Sequence, residues 1–325
     1  MEYVKLGNTG MDVSRLCLGC MGFGKASDGN EWILDEKDSR KIIKAALDSG
    51  INFFDTANIY SSGTSEEFVG RALKDYANRD DVVLATKVFF NMRDGANGGG
   101  LSRKVIMSEI DQSLNRLGVD YVDLYITHRW DYDTPIEETM EALHDIVKSG
   151  KARYIGTSAM YAWQFQKALY VAEKNGWTRF ASMQNHFNLI YREDEREMLP
   201  LCKEEKIAVT PYSPLAGGVL TRDLSEETHR SKTDAFLVKK YGPTEAADRL
   251  IIEQVAVLAQ KYNAKRSQIA LAWLLQKDVI TSPIIGATKL NHLEDAIGAL
   301  SIKLSSEDIA SLEDIYVPHP VVGAL

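Results

Sequence analysis

Eight short β-rich runs, set apart by helical stretches, restrict the folds open to this chain more than any other feature. They lie near residues 15–18, 51–55, 82–87, 121–127, 152–156, 180–184, 208–212 and 282–286. Strands that alternate with helices predict βαβ units and a parallel sheet. Eight of them suit a closed (β/α)8 TIM barrel better than an open sheet, and 325 residues are enough for one such barrel, so the expectation is a single domain over 1–325. The intervening helices carry the matching periodicity: in SRKIIKAALDSG, Ile42, Ile43, Ala46 and Leu47 make one apolar stripe, and Gly50 is placed to end the helix. IEETMEALHDIVKSG repeats the design and stops at Gly150. Ahead of the barrel, residues 3–5 and 11–13 flank LGNTG, which predicts a β-hairpin over one barrel end. A polar excursion at about 216–243 and two helical stretches, 245–262 and 267–276, separate the last two strands, and a helix near 307–315 precedes a tail whose prolines cannot continue it.

A formal net charge of -8 argues against a nucleic acid or an anionic membrane as partner. No apolar run approaches the roughly 20 residues of a membrane span and the amino terminus lacks a signal-type apolar region, so a cytoplasmic protein is expected. Cys17 and Cys20 have the C-x-x-C spacing of redox motifs, yet they close an apolar strand instead of opening a helix, and Cys202 lies in a helical stretch. Packing is the expected role of all three. Neither Gly19, Gly22 and Gly24 nor RDGANGGGL completes a dinucleotide or P-loop pattern, and no histidine spacing matches a metal site. No metal is expected.

Three of the strands finish in titratable side chains. INFFDTANIY ends its β-type run at Asp55, with Tyr60 five positions on; DVVLATK ends at Lys87; YVDLYITH ends at His128. In a barrel of parallel strands the carboxyl ends converge on one mouth, so these four groups would meet. A lysine ending a buried strand needs a carboxylate nearby, which Asp55 supplies. The ammonium would favour tyrosinate and lower the Tyr60 pKa, making it a better proton donor to a carbonyl oxygen, while His128 orients that carbonyl. A structural ion pair, a surface tyrosine and a capping histidine explain any one of these alone; four together at strand ends favour chemistry.

From LGCMGFG through NFFDTANIY, ATKV, DLYITHRWD, GKARYIGTS, SMQNHFNLIYR and TPYSPLAGGVL to SPIIGATKLNHLEDA, the chain resembles the aldo-keto reductases in order and spacing. Within them it is similar to the bacterial branch related to potassium-channel β subunits and short-chain carbonyl reductases. The resemblance implies NADPH-dependent reduction of aldehydes or ketones by reversible hydride transfer, with NADH possible, Tyr60 as general acid tuned by Asp55 and Lys87, and His128 positioning the substrate. It also implies a cofactor held extended without a Rossmann domain. Cys20, Met21 and Asp55 would lie along it, Ser158 and Gln184 would bond its carboxamide, and Tyr212 would stack on its ring. Ser213, Pro214, Leu215 and Gly217 would meet the pyrophosphate, and Arg222, Arg230 and Lys232 would either close over it or form a solvated basic patch. Gly286, Thr288 and Lys289 would face the adenosine phosphate, and His292 and Asp295 the adenine ribose or base; the chain differs from related branches in carrying His292 and Ala296, where Gln and Asn are common. Met21, Trp32, Phe89, Arg129, Trp130 and Tyr132 are the large side chains available for a substrate pocket, and Arg129 could pair with a substrate carboxylate or phosphate or form a surface ion pair, the more frequent fate of an exposed arginine. A redox-sensing NADP(H)-binding subunit is the alternative, but such relatives often carry Asn where His128 stands.

Overall fold

The computed structural model describes residues 1–27, 31–223, 226 and 240–322. Within them, eight parallel strands run β3 (Cys17–Gly19), β4 (Phe53–Asp55), β5 (Val83–Val88), β6 (Val122–Thr127), β7 (Ala152–Ser158), β8 (Phe180–Gln184), β9 (Ala208–Val209) and β10 (Ile284–Gly286), in the spatial order β10-β3-β4-β5-β6-β7-β8-β9. Backbone bonds close the remaining gap: Thr281 donates to the Val209 carbonyl and Ile284 to that of Pro211, both at 2.9 Å. Arg15 clamps this seam, its guanidinium donating to the carbonyls of Leu275, Ile280 and Thr281. Every strand read from the sequence is present. The seventh run is shorter as regular strand than its 208–212 reading, because beyond Val209 the pairing continues only as single contacts, Thr210 N–H to Met183 and Tyr212 N–H to Asn185.

The period-2 alternation of the strands sorts side chains into an inner and an outer core. Cys17, Phe53, Val83, Ala85, Leu124, Ile126, Ala208 and Ile284 fill the lumen with Leu6 and Val13, which come from around the antiparallel hairpin β1 (Tyr3–Lys5) and β2 (Asp12–Ser14). The hairpin therefore plugs the amino-terminal end. Leu18, Phe54, Leu84, Tyr125, Ile155, Met183, Val209 and Ile285 point outward under the helices. Each such fully buried side chain stabilises the fold by about 1.5–3 kcal/mol. Two residues past Phe53, Ala85 and Ile126 on their strands stand Asp55, Lys87 and His128, so the same alternation that fills the lumen with hydrocarbon puts these three above it at the carboxyl end.

The helices end as read: Gly50 and Gly150 take left-handed φ values of 83° and 78°. Asp35 and Ser102 cap the helices Glu36–Asp48 and Arg103–Leu117 by accepting from backbone N–H groups. Cys17 lies in the lumen and Cys20, just past the end of the same strand, in the outer core, both fully buried free thiols, while Cys202 is buried on the helix Met198–Glu204. After β9 come the helices Glu245–Lys261 and Arg266–Leu275; Arg230 and Lys232 lie outside the described residues. No described helix is long and apolar enough to cross a membrane.

Candidate active site

Strand ends bring Asp55 and Lys87 together, and a short 3-10 turn, Tyr60–Gly63, swings the tyrosine over them. That turn holds Ser61 and Ser62 at left-handed φ values of 47° and 52°, a strained backbone of the kind that recurs at functional sites. The Lys87 Nζ donates to Asp55 Oδ2 at 2.6 Å, to the Thr56 carbonyl at 2.8 Å and to the Tyr60 hydroxyl at 3.0 Å, so all three ammonium protons are spent. Asp55 Oδ1 accepts from Gln184 Nε2 at 2.9 Å. His128 stands edge-on to Tyr60 with ring centres 5.8 Å apart, and edge-on to Phe90 at 5.0 Å.

Burial alone disfavours the Lys87 ammonium, but Asp55 and Tyr60 outweigh it and hold the amine protonated above its ordinary range. Burial pushes the Tyr60 phenol up; Lys87 and Arg129 pull it back, Asp55 opposes them, and the net shift is upward. This corrects the sequence expectation of a lowered value: the ammonium is where it was expected, but desolvation outweighs its charge. Tyr60 is thus a neutral phenol at pH 7, with its proton in place to give. His128 is pushed well below the ordinary imidazole value, by burial first and then by Lys87 and Arg129, so its ring is neutral; its Nδ1 is buried without a partner. Such a group can donate to or accept from a carbonyl oxygen without adding charge.

Beside the tetrad, the Ser158 hydroxyl ends β7 buried and without a hydrogen-bond partner. The Tyr212 ring backs onto His186, nearly parallel at 13° and 5.3 Å between centres, and His186 in turn stacks on Tyr191 at 4.1 Å.

The family model for the aldo/keto reductase family matches residues 15–317. The chain belongs to the aldo/keto reductase family. A versiconal hemiacetal acetate reductase of Aspergillus parasiticus is 42% identical, covering 99% of this chain and 98% of that protein. A Schizosaccharomyces pombe protein classed as an aryl-alcohol dehydrogenase is 44% identical over 99% and 98% of the two chains, and an aldo-keto reductase of Alternaria alternata is 40% identical over 99% and 93%. This reductase is accordingly an oxidoreductase acting on carbonyl and alcohol groups, in a family that typically uses NAD(P)H.

The other residues singled out from the sequence fall into three groups. Around the loop after β9, Ser213, Ala216, Gly217 and Gly218 all take left-handed φ, with Pro214 buried and Leu215 partly so. Asn188 Nδ2 anchors the loop through the Ser213 carbonyl at 2.9 Å, and Arg222 closes it by donating to the carbonyls of Gly218 and Glu226, both at 3.0 Å. At the end of β10, Gly286 has open space where a Cβ would stand, and Thr288 and Lys289 lead into the helix Leu290–Gly298, whose amino end has no side-chain cap and no acidic residue in its first turn. His292 is exposed on that helix, whereas Asp295 is taken by Lys265 in an ion pair of 2.6 Å. Cys20 is fully buried, so only its main chain could meet a ligand; Met21 is exposed.

Among the substrate candidates, Arg129 donates to the His128 carbonyl at 2.7 Å and lies over Phe90. Phe89 packs edge-on to Phe90 and lines a depression of about 610 Å³ beside the tetrad, not on it. Trp130 sits by Trp163 at 6.0 Å, and Tyr132 accepts from Gln164 at 3.0 Å. Trp32 packs near Gly22, whose other close neighbour is Thr288, on the side of β10. Sequence reasoning missed Phe90, His186 and Lys240. The first two stand within motifs already noted, next to Phe89 and Gln184, but Lys240 belongs to the polar excursion and nothing in its surroundings marks it. Its ammonium lies 4.7 Å from the Tyr212 ring centre. Among the described residues no group of three or more His, Cys, Asp or Glu side chains could hold a metal ion.

Proposed function

We propose that this reductase, as a single barrel unit over 1–325, converts aldehydes or ketones to alcohols with NADPH, Tyr60 supplying the proton. The observation that carries the reading is the Lys87 Nζ, within hydrogen-bond distance of both Asp55 Oδ2 and the Tyr60 hydroxyl. A bound reduced nicotinamide would supply hydride to the carbonyl carbon. As negative charge grows on the oxygen, Tyr60 donates its proton, and the Lys87 ammonium stabilises the phenolate left behind through a contact already in place. Asp55 keeps that ammonium charged and aimed. His128, neutral, bonds the same carbonyl oxygen and fixes its direction.

The chain's own residues fit the cofactor. Ser158, a buried hydroxyl without a partner, is the kind of group a carboxamide would satisfy. The open space above Gly286 and the uncapped helix start at Leu290 suit a phosphate, with Thr288 and Lys289 alongside. Tyr212, backed by His186, offers a ring face for stacking, and Gln184 would move between Asp55 and the carboxamide. His292 is free to approach the adenosine; Asp295 would do so only by giving up Lys265. The aryl-alcohol name of one relative and the edge-on pair of Phe89 and Phe90 favour aryl carbonyl compounds. The test is Tyr60→Phe: NADPH binding read by fluorescence stays near that of the parent, while turnover of benzaldehydes falls by about 100- to 10,000-fold. Unchanged turnover refutes the assignment.

A further inference from the structure

We propose that this reductase takes carbonyl compounds that carry an anionic group, a carboxylate or a phosphate, and that Arg129 is the residue that binds that group. The proposal rests on the reading of the tetrad as the reaction centre and names the substrate class for it. Arg129 directly follows His128, and one of its guanidinium nitrogens donates to the His128 carbonyl at 2.7 Å. This bond and the contact with the Phe90 ring hold the group in place. No carboxylate lies within 4.0 Å of the guanidinium among the described residues. Asp131, two residues on, spends its carboxylate on the Leu101 and Asp133 N–H groups and the Thr134 hydroxyl. A guanidinium has five N–H donors in a planar fork, so most of this one remains available.

Position decides what it would hold. The charge of Arg129 is felt by Tyr60, His128, His186, Tyr212 and Lys240, which come from different elements of the chain. Lys240 brings a second cation to the same space, against the Tyr212 ring. The third cation, Lys87, is neutralised by Asp55. A neutral substrate would leave the Arg129 guanidinium facing a neutral imidazole and a neutral phenol. An anion on the far end of a substrate whose carbonyl reaches Tyr60 and His128 would answer that charge, and a planar fork matches a carboxylate or phosphate through two parallel bonds. The candidate cofactor phosphates lie along the loop after Tyr212 and the helix from Leu290, whereas Arg129 is tied to His128.

The test compares 4-carboxybenzaldehyde and 4-formylphenyl phosphate with the methyl ester of the former, an uncharged molecule of similar shape. In the parent protein kcat/KM favours one or both charged aldehydes over the ester, and the advantage shrinks as salt is raised from about 0.05 to 0.5 M. In Arg129→Met the ratio of charged to ester kcat/KM falls by about 10- to 100-fold, as expected for losing charge-assisted bonds, with the change mainly in KM. Arg129→Lys retains part of the preference. Calorimetry shows benzoate, but not methyl benzoate, binding the NADP-loaded parent and failing to bind Arg129→Met. Loss of one charged arm alone identifies which anion is taken. Equal losses on charged and ester substrates, a fall in NADPH affinity that accounts for the change, or a salt-independent ratio in the parent overturns the proposal. Failure of this kind leaves Tyr60→Phe inactive, whereas failure of the tetrad reading leaves it active.

Discussion

Lys87 Nζ and Asp55 Oδ2 stand 2.6 Å apart with both side chains withdrawn from water, at 0% and 3% exposure. Two charges buried this deeply are tolerated because each satisfies the other, and removing one partner of such a pair costs about 3–5 kcal/mol. Asp55→Asn is therefore expected to lower the unfolding free energy by about 3 kcal/mol in urea titrations, and Lys87→Met by a similar amount. The double variant Asp55→Leu/Lys87→Met, which leaves no lone charge, should lose much less than the sum of the two. Additive losses would show that the pair is not the unit that matters.

The two buried histidines give stability a pH dependence whose sign can be worked out. His128 and His186 are both held well below the ordinary imidazole value, chiefly by burial. Between the unfolded value of about 6.5 and the depressed native one, the unfolded chain binds the extra proton. Stability is then full above about pH 6.5 and falls as pH drops, by about 1.4 kcal/mol per pH unit for each histidine. Asp194 acts in the opposite direction: burial raises it to about 6, so it adds stability as pH falls from about 6 towards 4. The clean measurement is a difference between proteins. Urea unfolding of the parent and of His128→Asn from pH 7 to 5 should show the parent losing stability more steeply, by close to one proton.

How much of this was legible beforehand depended on whether a feature was set by local pattern. Strand alternation fixes which way Phe53 and Asp55, or Ala85 and Lys87, point once the strand is recognised, so the meeting of Asp55, Lys87 and His128 could be read from spacing and the barrel rule. Gly50 and Gly150 announced their helix ends for the same local reason. The direction of the Tyr60 shift could not be read, because it is the difference between desolvation and the pull of Lys87, and depth of burial is not written in any motif. Nor could Lys240, since only folding of the excursion brings it onto Tyr212. Asp295 was legible as to position but not as to its bond with Lys265, which comes from a separate helical stretch.

Gly70 lies where the helix Thr64–Tyr76 packs against the end of the helix Arg103–Leu117. A Cβ built there would stand 2.1 Å from the Leu117 carbonyl oxygen and 2.7 Å from its Cα, backbone atoms that cannot rotate away. Gly70→Ala should therefore force the two helices apart and cost about 1–3 kcal/mol, despite alanine being the better helix former. Thermal unfolding checks it; an unchanged or raised midpoint would mean that the helices separate without penalty. Turnover by the tetrad should be affected far less than stability, since neither helix supplies a residue to it.

Lys240 should make recognition of charged substrates depend on pH near neutrality. Burial, with Arg129 adding to it, brings its amine down to about 7, so the site carries its full positive charge below that pH and loses one charge above it. The other groups facing this space do not change charge in that window: Tyr60, Tyr212 and Lys87 are shifted upward, and His128 and His186 downward. Asp194, at about 6, is already about three-quarters ionised at pH 6.5, so only the minor part of its change falls in the window. The KM for 4-carboxybenzaldehyde is accordingly expected to rise several-fold between pH 6.5 and 8, while that of the methyl ester stays level. Lys240→Met removes the titrating charge, so its KM for the acid should already be high at pH 6.5 and change little thereafter. A rise of the same size in Lys240→Met would assign the titration to another group.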